Sequence, residues 1–118
     1  MGETRVDVTI RNPADSQRCW EGEFVVDTGA IDSVVPRRHL EAIGVEPLED
    51  AVYLLADGSE FHTQTALAQM EFEGRRLGGI VIFGPDDVDP LLGVTALGSG
   101  GFAVDPVNNE LRKVMRRL

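Results

Sequence analysis

From Thr4 to Arg11 every second position is aliphatic: Val6, Val8 and Ile10 alternate with Arg5, Asp7, Thr9 and Arg11. A period of two predicts a half-buried strand, because successive side chains of a strand point to opposite faces. The cluster Asn12-Pro13-Ala14-Asp15-Ser16 predicts a turn, and Cys19–Val26 the returning strand. The end of that strand, Phe24-Val25-Val26, loses the alternation, as expected where a strand passes into the interior. Pro36, followed by Arg37–Ile43 and then Gly44, predicts a short helix, with proline in a first turn and glycine beyond the last.

Further along, Val52–Leu55 and Glu60–Phe72 flank Asp57-Gly58, which predicts a hairpin. In its second arm Ala66, Ala68, Met70 and Phe72 face away from Gln69, Glu71 and Glu73. Gly74-Arg75 predicts a tight turn into Leu77, and Ile80–Phe83 a fully apolar strand between Gly79 and Gly84. Thr95–Leu97 has room for one helical turn at most. Phe102–Val104, the turn Asp105–Asn109 and Leu111–Val114 predict a last hairpin. The expected class is all-β, a sandwich or small barrel with one or two short helices.

Length and charge narrow the function classes. At 118 residues one domain spanning 1–118 is expected, large enough to bury roughly two-thirds of its unfolded surface. Twenty acidic residues against eleven basic ones give a formal charge of -9, which argues against a nucleic-acid partner. The tail departs from that balance, with four basic residues among the seven of 112–118, and reads as a solvated end. Cys19 is the one cysteine, so neither an intrachain disulfide nor a thiolate metal cage can form. A reducing compartment is compatible with this, and a cytoplasmic location is expected, a soluble piece of a longer or anchored protein being the alternative. No apolar run approaches the ~18 residues of a membrane span, and no signal-peptide pattern opens the chain.

The chemistry-bearing candidates are few. Asp27 ends the apolar run and is followed at once by Thr28-Gly29-Ala30. A carboxylate delivered from a dry strand is costly unless it is hydrogen-bonded or partnered. Taken alone, Asp27 reads as a cap of the following turn, since Asp and Thr bond local backbone well. Asp86, Asp87 and Asp89 lack the glycine and terminal glutamate of a calcium loop, and Pro90 follows at once. His39 and His62 have no metal-type spacing with each other or with Cys19. Ser99 sits in neither a nucleophile elbow nor a phosphate loop. No metal or cofactor is expected.

The longer segments around Asp27 change the weighting. Phe24–Val35, reading FVVDTGAIDSVV, resembles the active-site segment of retropepsin-like aspartic peptidases. Ile80–Leu97, reading IVIFGPDDVDPLLGVTAL, resembles the second signature of that family, with Leu91-Leu92-Gly93 as its hydrophobic-hydrophobic-glycine element. The Asp57-Gly58 hairpin lies between them, where the family has its flap. Phe102–Val114 extends beyond the end of retroviral members, more like bacterial and cellular single-domain ones. Two departures stand out: Ile31 and Val94 occupy the positions of a retroviral acid-arginine pair, so neither charge is stranded, and the flap tip reads Ala56-Asp57-Gly58-Ser59 in place of the glycine-rich tip of viral members.

The resemblance implies an acid-protease barrel with one lobe per chain, and endopeptidase activity. It implies Asp27 as the catalytic carboxylate and Thr28, Gly29 and Ala30 as support of the active-site loop. Asp32, Val34, Asp57, Gly58, Ser59 and Leu91 would face a polypeptide substrate. Such peptidases need two carboxylates sharing one proton. The chain holds one Asp-Thr-Gly, so a homodimer related by a two-fold axis would supply the second. The alternatives are a non-proteolytic dimerisation or peptide-binding module of the same fold, and an unrelated all-β domain with Asp27 as a turn cap.

Overall fold

The computed structural model describes residues 3–118, so Met1 and Gly2 of the expected span lie outside the described residues. The first strand, β1 (Arg5–Asn12), pairs antiparallel with β2 (Asp15–Val26), from Arg5 opposite Val25 to Asn12 opposite Asp15. Val6, Val8 and Ile10 are buried, as the alternation predicts. The turn is tighter than the polar cluster suggests and consists of Pro13 and Ala14. Asn12 closes it: its Oδ1 accepts the Ala14 N–H at 2.8 Å while its Nδ2 donates to the Ile43 carbonyl at 2.9 Å.

After β2 the chain forms β3 (Ser33–Pro36), α1 (Arg37–Ala42), β4 (Glu49–Leu54), β5 (Glu60–Phe72) and β6 (Arg75–Gly84). It continues with β7 (Leu91–Leu92), α2 (Val94–Gly100), β8 (Phe102–Asp105) and β9 (Glu110–Lys113). One sheet runs β1-β2-β7-β3-β6-β5-β4, and β1 also pairs with β5, which closes six of its strands into a ring. The barrel, rather than the sandwich, is therefore the form adopted. β4 stands outside the ring as the free arm of the β4–β5 hairpin, and β8 and β9 form a separate two-stranded sheet.

Val8, Ile10, Phe24, Val35, Val81, Phe83 and Leu92 fill the ring, all fully buried. Leu40 and Ile43 bring α1 onto this core, and Ala96 and Leu97 bring α2. Trp20 packs against Phe24 and stacks on His39, with ring centroids 3.9 Å apart, so α1 is also tied to β2. Glu73 and Gly74 take left-handed φ values of 51° and 75°, the primed two-residue turn that matches strand twist between Phe72 and Arg75.

Several elements differ from expectation. Ser33–Pro36 and Leu91–Leu92 are strands that no periodicity announces, being four and two residues long. β6 runs unbroken through Gly78 and Gly79, because β5 pairs with it continuously from Arg75 to Ile82. α2 has seven residues instead of a single turn. Its first N–H groups are held from outside, Val94 by the Ala30 carbonyl at 2.8 Å and Thr95 by that of Ile31 at 3.1 Å. Glycine's poor helix propensity at Gly98 and Gly100 is overridden by this tertiary support. The helix ends at Gly101, in the left-handed region at φ 77°. No helix among the described residues is long and apolar enough to cross a membrane.

Candidate active site

The last residues of β2 are gripped on both sides. Val26 N–H donates to the Thr4 carbonyl at 2.8 Å, and Asp27 N–H to the Leu92 carbonyl at 3.0 Å. Asp27 thus leaves the sheet at a fixed height above β7, half-buried. Its Oδ1 accepts the Gly29 N–H at 2.9 Å, and its carbonyl accepts the Ala30 N–H at 3.2 Å. The turn cap anticipated from the sequence is therefore present, and it orients the carboxylate. A Cβ on Gly29 would lie 3.2 Å from that same Oδ1. Thr28, at the apex, is exposed, and its hydroxyl bonds to no described residue.

Beneath the loop the chain crosses itself at close range. The Ser33 hydroxyl, 2% exposed, accepts the Gly93 N–H at 3.0 Å. A Cβ on Gly93 would sit 2.6 Å from the Ile31 carbonyl oxygen, so this position excludes any side chain. With the two α2 N–H groups bonded to Ala30 and Ile31, the residues Asp27, Ala30, Ile31 and Ser33 all bond to the Leu92–Thr95 segment, and the Asp32 backbone lies against Gly93.

The strand registers define one continuous face. Arg5 lies opposite Val25, Val25 beside Leu91, Leu91 beside Val34, Val34 beside Ile82 and Ile82 beside Thr65, which faces Glu49. Side chains repeat on a face every two residues, so Asp27 belongs with Val25, and Asp32 with Val34 across the buried Ser33. On the hairpin, Ala51 and Tyr53 continue from Glu49, and Thr63 and Phe61 from Thr65. Burial pushes the Tyr53 phenol above its ordinary value, and the negative charge of Asp32 adds to the push.

Of the residues expected at the site, Asp27, Thr28, Gly29, Ala30, Val34 and Leu91 are brought together, with Asp32 on the same face. Asp57, Gly58 and Ser59 stand apart at the exposed hairpin tip. Their hydrogen bonds are local: Asp57 Oδ1 accepts both the Ser59 N–H at 2.9 Å and the Ser59 hydroxyl at 2.5 Å. These bonds hold the Asp57 carboxyl below the usual carboxylate range. Gly58 takes φ 86°, which the tip requires of a glycine. Sequence reasoning overlooked Val25 and Ser33. Counting back two from Asp27 would have found Val25, whereas nothing in the pattern marks Ser33.

Ile31 is 70% exposed and Val94 42%, on adjoining segments. Asp86 caps α1 from a distance, its Oδ1 accepting the Arg38 N–H at 2.9 Å. Among the described residues no group of three or more His, Cys, Asp or Glu is placed to hold a metal ion. No curated protein matches the chain closely enough to count as a relative. Residues 20–99, which run from the middle of β2 into α2, match the family described as gag-polyprotein putative aspartyl protease. The ring of short strands, the loop that presents Asp27 and the match over both segments agree: the chain belongs to this aspartyl protease family.

Proposed function

We propose that the chain is an aspartic endopeptidase assembled from two identical copies, each contributing Asp27. The observation that carries this reading is the bracing of Asp27. Its backbone is tied to Leu92 and one carboxylate oxygen to Gly29 N–H, while the other oxygen makes no hydrogen bond with a described residue. A group held this firmly with one oxygen uncommitted is suited to face a second carboxylate and a water. Two such carboxylates ~3 Å apart cannot both ionise, so they share a proton. The ionised one draws a proton from the water, and the protonated one donates to the scissile carbonyl oxygen. Water attacks the carbonyl carbon, the C–N bond breaks, and the amine leaves with the proton returned to it.

One protomer holds a single Asp-Thr-Gly, so the second Asp27 comes from a copy related by a two-fold axis. The exposed, unbonded Thr28 beside Asp27 is the natural contact across that axis. Gly29 and Ala30 keep side-chain bulk away from the carboxylate, and Val34 and Leu91 supply an apolar floor for an extended peptide. Asp27→Asn is expected to abolish cleavage of an unfolded protein substrate while sedimentation still reports a dimer. Retained cleavage in Asp27→Asn, or a wild-type protein that is monomeric yet active, would overturn the proposal.

A further inference from the structure

A strip of exposed aliphatic side chains leads away from the Asp27 loop. Ile31, the residue after Ala30, is exposed, and Ile31, Asp32 and Ile80 line one shallow depression beside α2. Ile80 stands directly opposite Leu67 on β5, and the two are 44% and 54% exposed. Each lies two residues from the paired Ile82 and Thr65, so they share the face of that pair. Leu67 is also one wall of an open groove of about 410 Å³, whose other apolar walls include Leu48, Val45 and Pro13. Fixed backbone shapes this groove: Leu48 N–H donates to the Thr65 carbonyl at 2.8 Å, and Asn12, before Pro13, donates to the Ile43 carbonyl at 2.9 Å. Among the residues lining the depression and the groove, Asp32 and Glu46 alone are charged, on a chain of net charge -9.

The strand registers put this strip in line with Asp27. Val26 pairs with Leu92, Val34 with Leu91 and Ser33 with Val81. Continuing each register sets Asp27 beside Gly93, Gly93 beside Asp32 and Asp32 beside Ile80, with Leu67 next. Strands lie about 4.8 Å apart, so Ile80 is about 14 Å and Leu67 about 19 Å from Asp27, measured along the curved sheet. An extended polypeptide following that surface across the strands advances about 3.3 Å per residue. It meets Ile80 about four residues, and Leu67 about six residues, from the bond held at Asp27. Resting on the peptidase reading, we infer that Ile31, Ile80 and Leu67, with the groove behind them, extend the substrate cleft and select polypeptides with bulky apolar side chains at those two distances. A contiguous apolar strip on an acidic surface gains by being covered. A second copy does not cover it: facing Asp27 residues bring the end of β2 to the two-fold axis, and Leu67 lies four strand spacings away across β7, β3 and β6. With two copies in a dimer, the extension serves both flanks of the scissile bond.

The test uses synthetic peptides that share one cleaved sequence and reach about eight residues to either side of the scissile bond. Members of a pair differ only in leucine against serine at one distal position, which is moved outward in turn on each flank. Steady-state cleavage is measured on the full chain. Leucine about four and about six residues from the bond is expected to raise kcat/KM about tenfold over serine, through KM rather than kcat. The ratio at about four should fall to about one in Ile80→Ser, and the ratio at about six in Leu67→Ser. Both side chains are exposed, so neither change opens a cavity in the core. Sedimentation of both variants should still report the wild-type assembly. Equal kcat/KM for leucine and serine at every distal position, or a preference that survives Ile80→Ser combined with Leu67→Ser, overturns the extension and leaves the peptidase standing. Dissociation of the dimer by either change would make the strip a subunit contact and also overturns it. Cleavage of neither the peptides nor an unfolded protein overturns the peptidase reading and the extension together.

Discussion

In Asp27-Thr28-Gly29 and in Asp57-Gly58-Ser59 the first residue's Oδ1 accepts the N–H of the third, at 2.9 Å in each. The local chemistry is the same and the surroundings are opposite. The first turn leaves a strand clamped between Thr4 and Leu92 and rests on Ser33, Gly93 and the start of α2. The second is the tip of a hairpin whose loop bonds only within itself, Leu55 to Ser59 and Gly58 to Leu55. An aspartate that caps a turn is therefore no sign of function by itself. What distinguishes Asp27 is that its backbone is fixed from both sides while one of its oxygens stays uncommitted. The tip is held by its own hydrogen bonds alone, so fewer contacts oppose its opening than oppose that of the Asp27 loop.

The largest effect should separate the two aspartates. Asp27→Asn is expected to lower kcat by roughly 10³-fold or more, whereas Asp57→Asn should keep activity within about tenfold, because a tip bonded to itself acts by positioning. Equal losses in steady-state assays would mean that the tip shares in the chemistry. The glycines follow the same division. Gly93→Ala places a methyl 2.6 Å from a backbone oxygen and should cost about 3 kcal/mol of stability. Gly58→Ala meets nothing within 4 Å, leaving only the left-handed backbone penalty of about 1 kcal/mol. Urea unfolding measures both. Ser33→Ala should cost about 2 kcal/mol by leaving the buried Gly93 N–H without its acceptor, and activity should fall with it, since the same bond supports the Asp27 loop.

The smallest effect concerns pH. The Asp57 carboxyl titrates below its ordinary value in the fold, so its contribution is complete above the unfolded value of about 4 and is lost as pH falls through the lower folded one. The group is fully exposed, and Asp57→Asn should therefore alter only the acid end of a Tm-against-pH curve, and slightly. A change near neutral pH would contradict that sign.

The long strands were legible because one face of each is buried: Val6, Val8 and Ile10 in β1, and Ala66, Ala68, Met70 and Phe72 in β5. β3 and β7 were not, because two to four residues cannot display a period, and their strand state comes from pairing with β6 and β2. α2 was read too short, since its glycines argue against helix while the carbonyls of Ala30 and Ile31, distant in sequence, hold its start. Around Asp27 the triplet and the apolar run before it pointed to the loop that the structure braces against Leu92–Thr95. Ser33 gave no signal, because a small polar residue next to apolar ones looks like surface until its partner Gly93 is placed above it.

The central proposal is that catalysis belongs to a pair of Asp27 residues from two chains, and subunit mixing tests it most directly. Wild-type and Asp27→Asn chains are combined in equal amounts, allowed to exchange, and assayed at constant total concentration. If both carboxylates are needed, only pairs of wild-type chains are active, and activity settles at about one quarter of the all-wild-type value. A site complete within one chain would give about one half, and that result would contradict the shared dyad.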